Sequence, residues 1–76
     1  MPAEHSRVVL TRDWPEEGLA AGDVGTVVHL YGERGLEVEF FNGEGGTVAV
    51  VTLPADAVRS MRAEEVLHAR PLAAAA

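Results

Sequence analysis

The chain has 76 residues and 8.1 kDa, carries twelve Asp and Glu against six Arg and no Lys, and has a formal net charge of -6. Scattered arginines on an acidic chain argue against general affinity for polyanions, which scales with clustered cations; the lack of Cys excludes disulfides, Cys-based zinc sites and thiol catalysis. No apolar run approaches the roughly 20 residues of a membrane span, and the start MPAEHSRVVL lacks the pattern of a signal peptide, so a cytoplasmic address is expected.

A domain this small buries only about 60% of its unfolded surface, so self-association or a partner is a natural supplement to its core. The segment SRVVLT (6–11) predicts a first strand, and RDWPEEG opens a long loop that runs to Asp23. A second strand follows over 24–31. Strict alternation places Val24, Thr26, Val28 and Leu30 on one face and Gly25, Val27, His29 and Tyr31 on the other. GERG (32–35) is a turn with Gly at each end. In LEVEFF (36–41), Leu36, Val38 and Phe40 predict a buried face, and Glu37 and Glu39 a wet one. NGEGG (42–46) supplies the next turn, with Asn42-Gly43 as its hairpin signal. TVAVVTL (47–53) predicts the fourth strand, PADA a single helical turn after Pro54 stops pairing, and VRSM (58–61) a short fifth strand.

Strands recurring about every ten residues, with no room for a helix between them, predict an all-β domain over residues 1–61, a small five-stranded antiparallel SH3-like barrel. Its long connection between the first two strands lies where such barrels carry their large loop. Residues 62–76 form an Ala-rich tail, either disordered or a short helix. Ser60 could cap such a helix, but Ala63 stands where a capping box has Glu. Alternatively the segment docks through Val66 and Leu67 on the barrel or on another chain.

Few residues point to chemistry. His5, His29 and His68 fall on a terminus, a strand and a tail without a common spacing, so neither a metal site nor a cofactor is expected. No hydroxyl has a His at a spacing that makes a dyad, and Glu37 and Glu39 lie on the wet face of their strand, so no enzymatic activity is expected. The glycines punctuate strands and have no Gly-Lys-Ser/Thr among them, which argues turn chemistry and not a phosphate loop. Trp14, the only Trp, is either a lid over one open end of the barrel or an exposed interface anchor. In the second case Tyr31 or Phe41 lies nearby, with Glu16, Glu17 and Asp23 as an acidic rim. The candidate partner-binding residues are Trp14, Glu16, Glu17, Leu19 and Tyr31.

The motifs LTRDWPEEGL, GDVGTVVH, and EVEF followed by TVAVVTL resemble the bacterial DUF4926 family of small proteins over residues 8–59. The resemblance implies an SH3-like or KOW-like barrel without catalysis and a partner or antitoxin-type role. Trp14 stands where the family more usually has an aliphatic residue, and the tail lies outside the likeness. GDVGTVVHLY is more loosely similar to the KOW motif: Gly22 and Gly25 match its glycines, but its basic residues have no counterpart. The function expected is a protein-binding module, accessory or antitoxin-like. The alternative is a KOW-like nucleic-acid binder, which needs Arg7, Arg12, Arg34 and Arg59 on one face.

Overall fold

In the computed structural model, residues 2–72 are described; the end of the predicted tail, 73–76, lies outside them. Five strands and two 3-10 turns follow one another: β1 (Arg7–Leu10), a turn at Pro15–Glu17, β2 (Val24–Tyr31), β3 (Gly35–Phe41), β4 (Thr47–Pro54), a turn at Ala55–Ala57, and β5 (Val58–Ser60). All pair antiparallel in a single sheet of order β4-β3-β2-β1-β5. The expected all-β architecture is thus present, but the barrel is not closed by hydrogen bonds. β5 is only three residues long and spends its pairing on β1, so the β4 and β5 edges are joined by the Ala55–Ala57 turn and not by a ladder.

The sheet curls around one apolar core in which Val8, Leu10, Val27, Leu36, Val38 and Leu53 are essentially inaccessible. No polar or charged residue is buried among the described residues. β3 follows its sequence pattern. Leu36, Val38 and Phe40 enter the core, while Glu37 accepts a hydrogen bond from the Tyr31 hydroxyl and Glu39 one from Thr47 on the outer face.

β2 departs from strict alternation. Val27 pairs with Val38 and His29 with Glu37, so Val28 is an extra residue, a bulge that bends the strand. Past the bulge, Leu30 pairs with Leu36 and packs against the core, as Val27 does before it. The expectation that Val27 and Leu30 face opposite ways is therefore corrected: a single inserted residue shifts the facing by one.

Gly25 is fixed by space. A Cβ there would lie 2.4 Å from Val38 Cγ1, 2.9 Å from Phe40 Cε2 and 3.0 Å from the Glu39 carbonyl. The strands therefore approach more closely than any side chain at 25 permits. The Asn42 turn also differs from its hairpin signal. Its left-handed residue is Gly45 and not Gly43, and Asn42 Oδ1 accepts from the N–H groups of Glu44 and Gly46.

The tail is not helical in its described part; residues 61–72 contain only a turn. A helix this short has too few hydrogen bonds to offset its nucleation in water, and the segment is held instead by the Arg59–Glu65 and Arg70–Asp23 ion pairs.

Gly25→Ala should destabilise the domain by about 1–3 kcal/mol through overpacking. Val38→Asp should unfold it by leaving an unpaired charge in the core, and Glu37→Ala should change stability by no more than about 0.5 kcal/mol. Urea unfolding followed by the fluorescence of Trp14 measures all three.

Candidate functional site

The long loop between β1 and β2 is held at its neck by two backbone bonds, Gly22 N–H to the Leu10 carbonyl at 2.8 Å and Leu10 N–H to the Asp23 carbonyl at 2.9 Å. Within it, Trp14 and Leu19 exchange N–H···O bonds of 2.9 and 3.0 Å across the Pro15–Glu17 turn, which Gly18 ends in a left-handed conformation. This pairing drives Leu19 into the core, 5% exposed, and lays Trp14 half-buried against it. Glu16 and Glu17 point into solvent. Two carboxylates brace the return of the loop: Asp13 Oδ1 accepts from Ala21 N–H and Asp23 Oδ2 from Ala20 N–H, each at 2.9 Å.

The tail crosses to this loop and is clamped twice. After β5 it turns over residues 62–65, where the Arg59 guanidinium donates two bonds, of 2.9 and 2.6 Å, to the Glu65 carboxylate. Glu65 Oε1 also accepts from Arg62 N–H at 2.7 Å. The Arg59 bonds first, and then this N–H, hold the Glu65 carboxyl down at about 2. Farther on, Arg70 Nε donates to Asp23 Oδ1 at 2.9 Å, and its Nη2 donates to Asp23 Oδ2 at 2.6 Å and to the Gly18 carbonyl at 3.0 Å. Burial pushes the Asp23 carboxyl up, but the Arg70 bonds, the Ala20 N–H and the Arg70 charge outweigh it, and the net shift is downward. Two parallel N–H···O bonds of this kind fix orientation as well as adding energy.

Between tail and barrel runs a groove. Leu19, Val24, Phe41 and Val48 line it from the barrel, and Leu67 and Leu72 from the tail, with Asp23 and Arg70 at its polar end. Asp23 lies where the sequence places the acidic rim, but Arg70 had no signal to single it out: it is 47 positions from its partner, beyond any local spacing.

The candidate residues are only partly brought together. Trp14, Glu16 and Glu17 share the loop, whereas Leu19 turns into the core and borders the groove from beneath. Tyr31 ends β2 while the loop enters it at Val24, a separation of roughly 23 Å along the strand. Tyr31 sits instead in a T-shaped contact with His29, ring centroids 4.5 Å apart, and donates to Glu37. Desolvation and that bond raise its pKa. Phe41, half exposed in the groove, is the aromatic that the antiparallel return of β3 carries back to the loop end. Among the described residues, no three His, Asp or Glu side chains gather as metal ligands would.

Three arginines are paired with carboxylates of the chain itself. Arg12 pairs with Asp56, Arg59 with Glu65 and Arg70 with Asp23. Arg34 lies in the turn between β2 and β3, where its carbonyl accepts from Ala55 N–H at 2.8 Å, so it borders the same Ala55–Ala57 turn whose Asp56 holds Arg12.

Residues 4–60 match the family model described as Domain of unknown function (DUF4926), most of the chain, which therefore belongs to that family. No curated protein and no solved structure matches it. The barrel side of the groove, including Leu19, Asp23, Val24, Phe41 and Val48, lies inside the matched region, and the tail segment that forms its other wall lies outside.

Both clamps rest on carboxylates whose pKa is lowered in the folded chain, so their contribution is complete above the ordinary carboxylate range and is lost as pH falls through the folded values. For Glu65 that window runs from 4.5 down to about 2. Arg59 and Arg70 stay charged throughout. Acid titration followed by NMR should show the Arg59 and Arg70 guanidinium resonances unmoved from pH 7 to 5 and moving to free-arginine positions on further acidification.

Proposed function

We propose that the chain is a non-catalytic protein-binding module, accessory or antitoxin-like, which takes an extended, arginine-bearing segment of its partner in the groove beside the β1–β2 loop. What supports this is the chain's own tail. The tail borders the groove as its second wall, with one arginine bonded through two nitrogens of its fork to Asp23, whose side chain is only 18% exposed, and with Leu67 and Leu72, themselves still exposed, along its lining. A planar guanidinium matched to a carboxylate, with apolar side chains on either side, is a common form of peptide recognition.

The surroundings favour the same ligand. The Gly18 carbonyl adds a third acceptor for the guanidinium, and the charge of Asp13 acts on Arg70 as well. Glu16 and Glu17 extend the negative surface of the loop, and the formal charge of -6 steers a cationic segment toward it. A nucleic-acid interface draws no such support, since Arg12, Arg59 and Arg70 are each paired with a carboxylate of the chain itself.

Arg70→Ala should release the tail and open the groove in the full-length chain. A fluorescent peptide of residues 64–72, titrated in trans to about 1 mM, should then bind this variant at least about tenfold more tightly than the unsubstituted chain, where the tethered tail competes at high effective concentration. The same peptide with its Arg replaced by Glu should not bind. Equal binding of the two peptides, or no binding to Arg70→Ala, would contradict the proposal.

A further inference from the structure

The two edges of the sheet are treated differently. β5 is three residues long, bears Arg59 clamped to Glu65, and runs straight into the tail. β4 is eight residues long, TVAVVTLP, with no charged residue and with Pro only at its last position. Along it, alternate residues turn their N–H and C=O groups away from β3. Among the described residues, no backbone hydrogen bond reaches residues 47–54 from any element other than β3. The groove takes in Val48 alone of this strand.

Natural proteins blunt a free edge with charge, proline, short length or cover. β5 has three of these devices and β4 only Pro54 at its end and one irregularity: the pairing shifts at Val48, which leaves 49–53 regular. Val51 and Leu53 of that stretch enter the core, while Val50, 50% exposed, and Thr52 stand on the outer face.

From this we infer that β4 pairs antiparallel with β4 of a second copy of the chain, joining the two sheets into one. Antiparallel pairing of a strand with its own copy is two-fold symmetric by construction, the symmetry most dimers use. Charge selects the same strand. Two chains of net charge -6 repel wherever their acidic surfaces meet, and β4 is the one sheet edge without charge. A two-fold centred on Val51 sets Ala49 opposite Leu53 and Val50 opposite Thr52, so every cross-strand pair is apolar or Thr, and Pro54 falls outside the ladder. A seam one strand wide buries less than the roughly 800 Å² per partner of a stable interface, so association depends on concentration.

Sedimentation equilibrium of the full-length chain from about 10 μM to about 1 mM should show the mass rising from 8.1 kDa toward twice that value. The double variant Val50→Lys with Thr52→Lys sets lysine opposite lysine across the seam, while within one copy the two face Glu39 and Glu37 across β3, so the fold should be retained. Its midpoint of association should rise by about tenfold or more. A mass of 8.1 kDa throughout, or unchanged association of the double variant, would overturn the inference. If the double variant does not fold, amide exchange in the unsubstituted chain decides. Amides of 49–53 should be more protected at the higher concentration, and protection independent of concentration would overturn it equally.

Discussion

The side chain of Asp23 is the point through which the loop, the groove and the tail depend on one another. One oxygen receives the Ala20 N–H and so closes the end of the β1–β2 loop, and both oxygens receive Arg70. The backbone of the same residue binds Leu10, at the end of β1, so the carboxylate is fixed to the sheet and not to a loose tip. A charge this well placed needs no reorganisation when a guanidinium arrives, and preorganisation of that kind lets a small, acidic domain hold a cationic segment firmly.

The position of that charge follows from how the sheet is bent. Gly25 allows β2 to lie against Val38 and Phe40, and the extra residue at Val28 turns the strand so that Val27 and Leu30 both face the core. The curled sheet then presents Val24 at one end and Tyr31 at the other. The loop end gathers an apolar groove with an anionic terminus, and the opposite end a His29–Tyr31 ring pair whose Tyr31 hydroxyl donates to Glu37. The motif GDVG thus has a geometric meaning residue by residue. Gly22 takes a left-handed backbone at the neck of the loop, Asp23 braces it, and Gly25 makes room for β3.

Much of this was legible in the sequence because it is local. The alternation of β3, the turn after Pro54 and the length of the β1–β2 loop are all set within a few residues, and each stands close to where the pattern puts it. What escaped is what distant contacts decide. The bulge at Val28 adds one residue to a run that reads as regular alternation either way. Leu19 reads as a loop residue until its exchange of hydrogen bonds with Trp14 turns it inward. The tail reads as alanine-rich and featureless, and the docking residues its hydrophobicity suggests were Val66 and Leu67; Val66 is almost wholly exposed, and the anchor is Arg70. Opposite charges 47 residues apart leave no periodic trace.

The most direct test of the role given to Asp23 is the amide spectrum of full-length Asp23→Asn, which keeps an acceptor for Ala20 N–H but removes the charge that faces Arg70. The account predicts that resonances of the five strands stay where they are, while those of residues 67–72 move to random-coil positions. A tail whose resonances match those of the unsubstituted chain would show that something other than this carboxylate holds it, and would contradict the account.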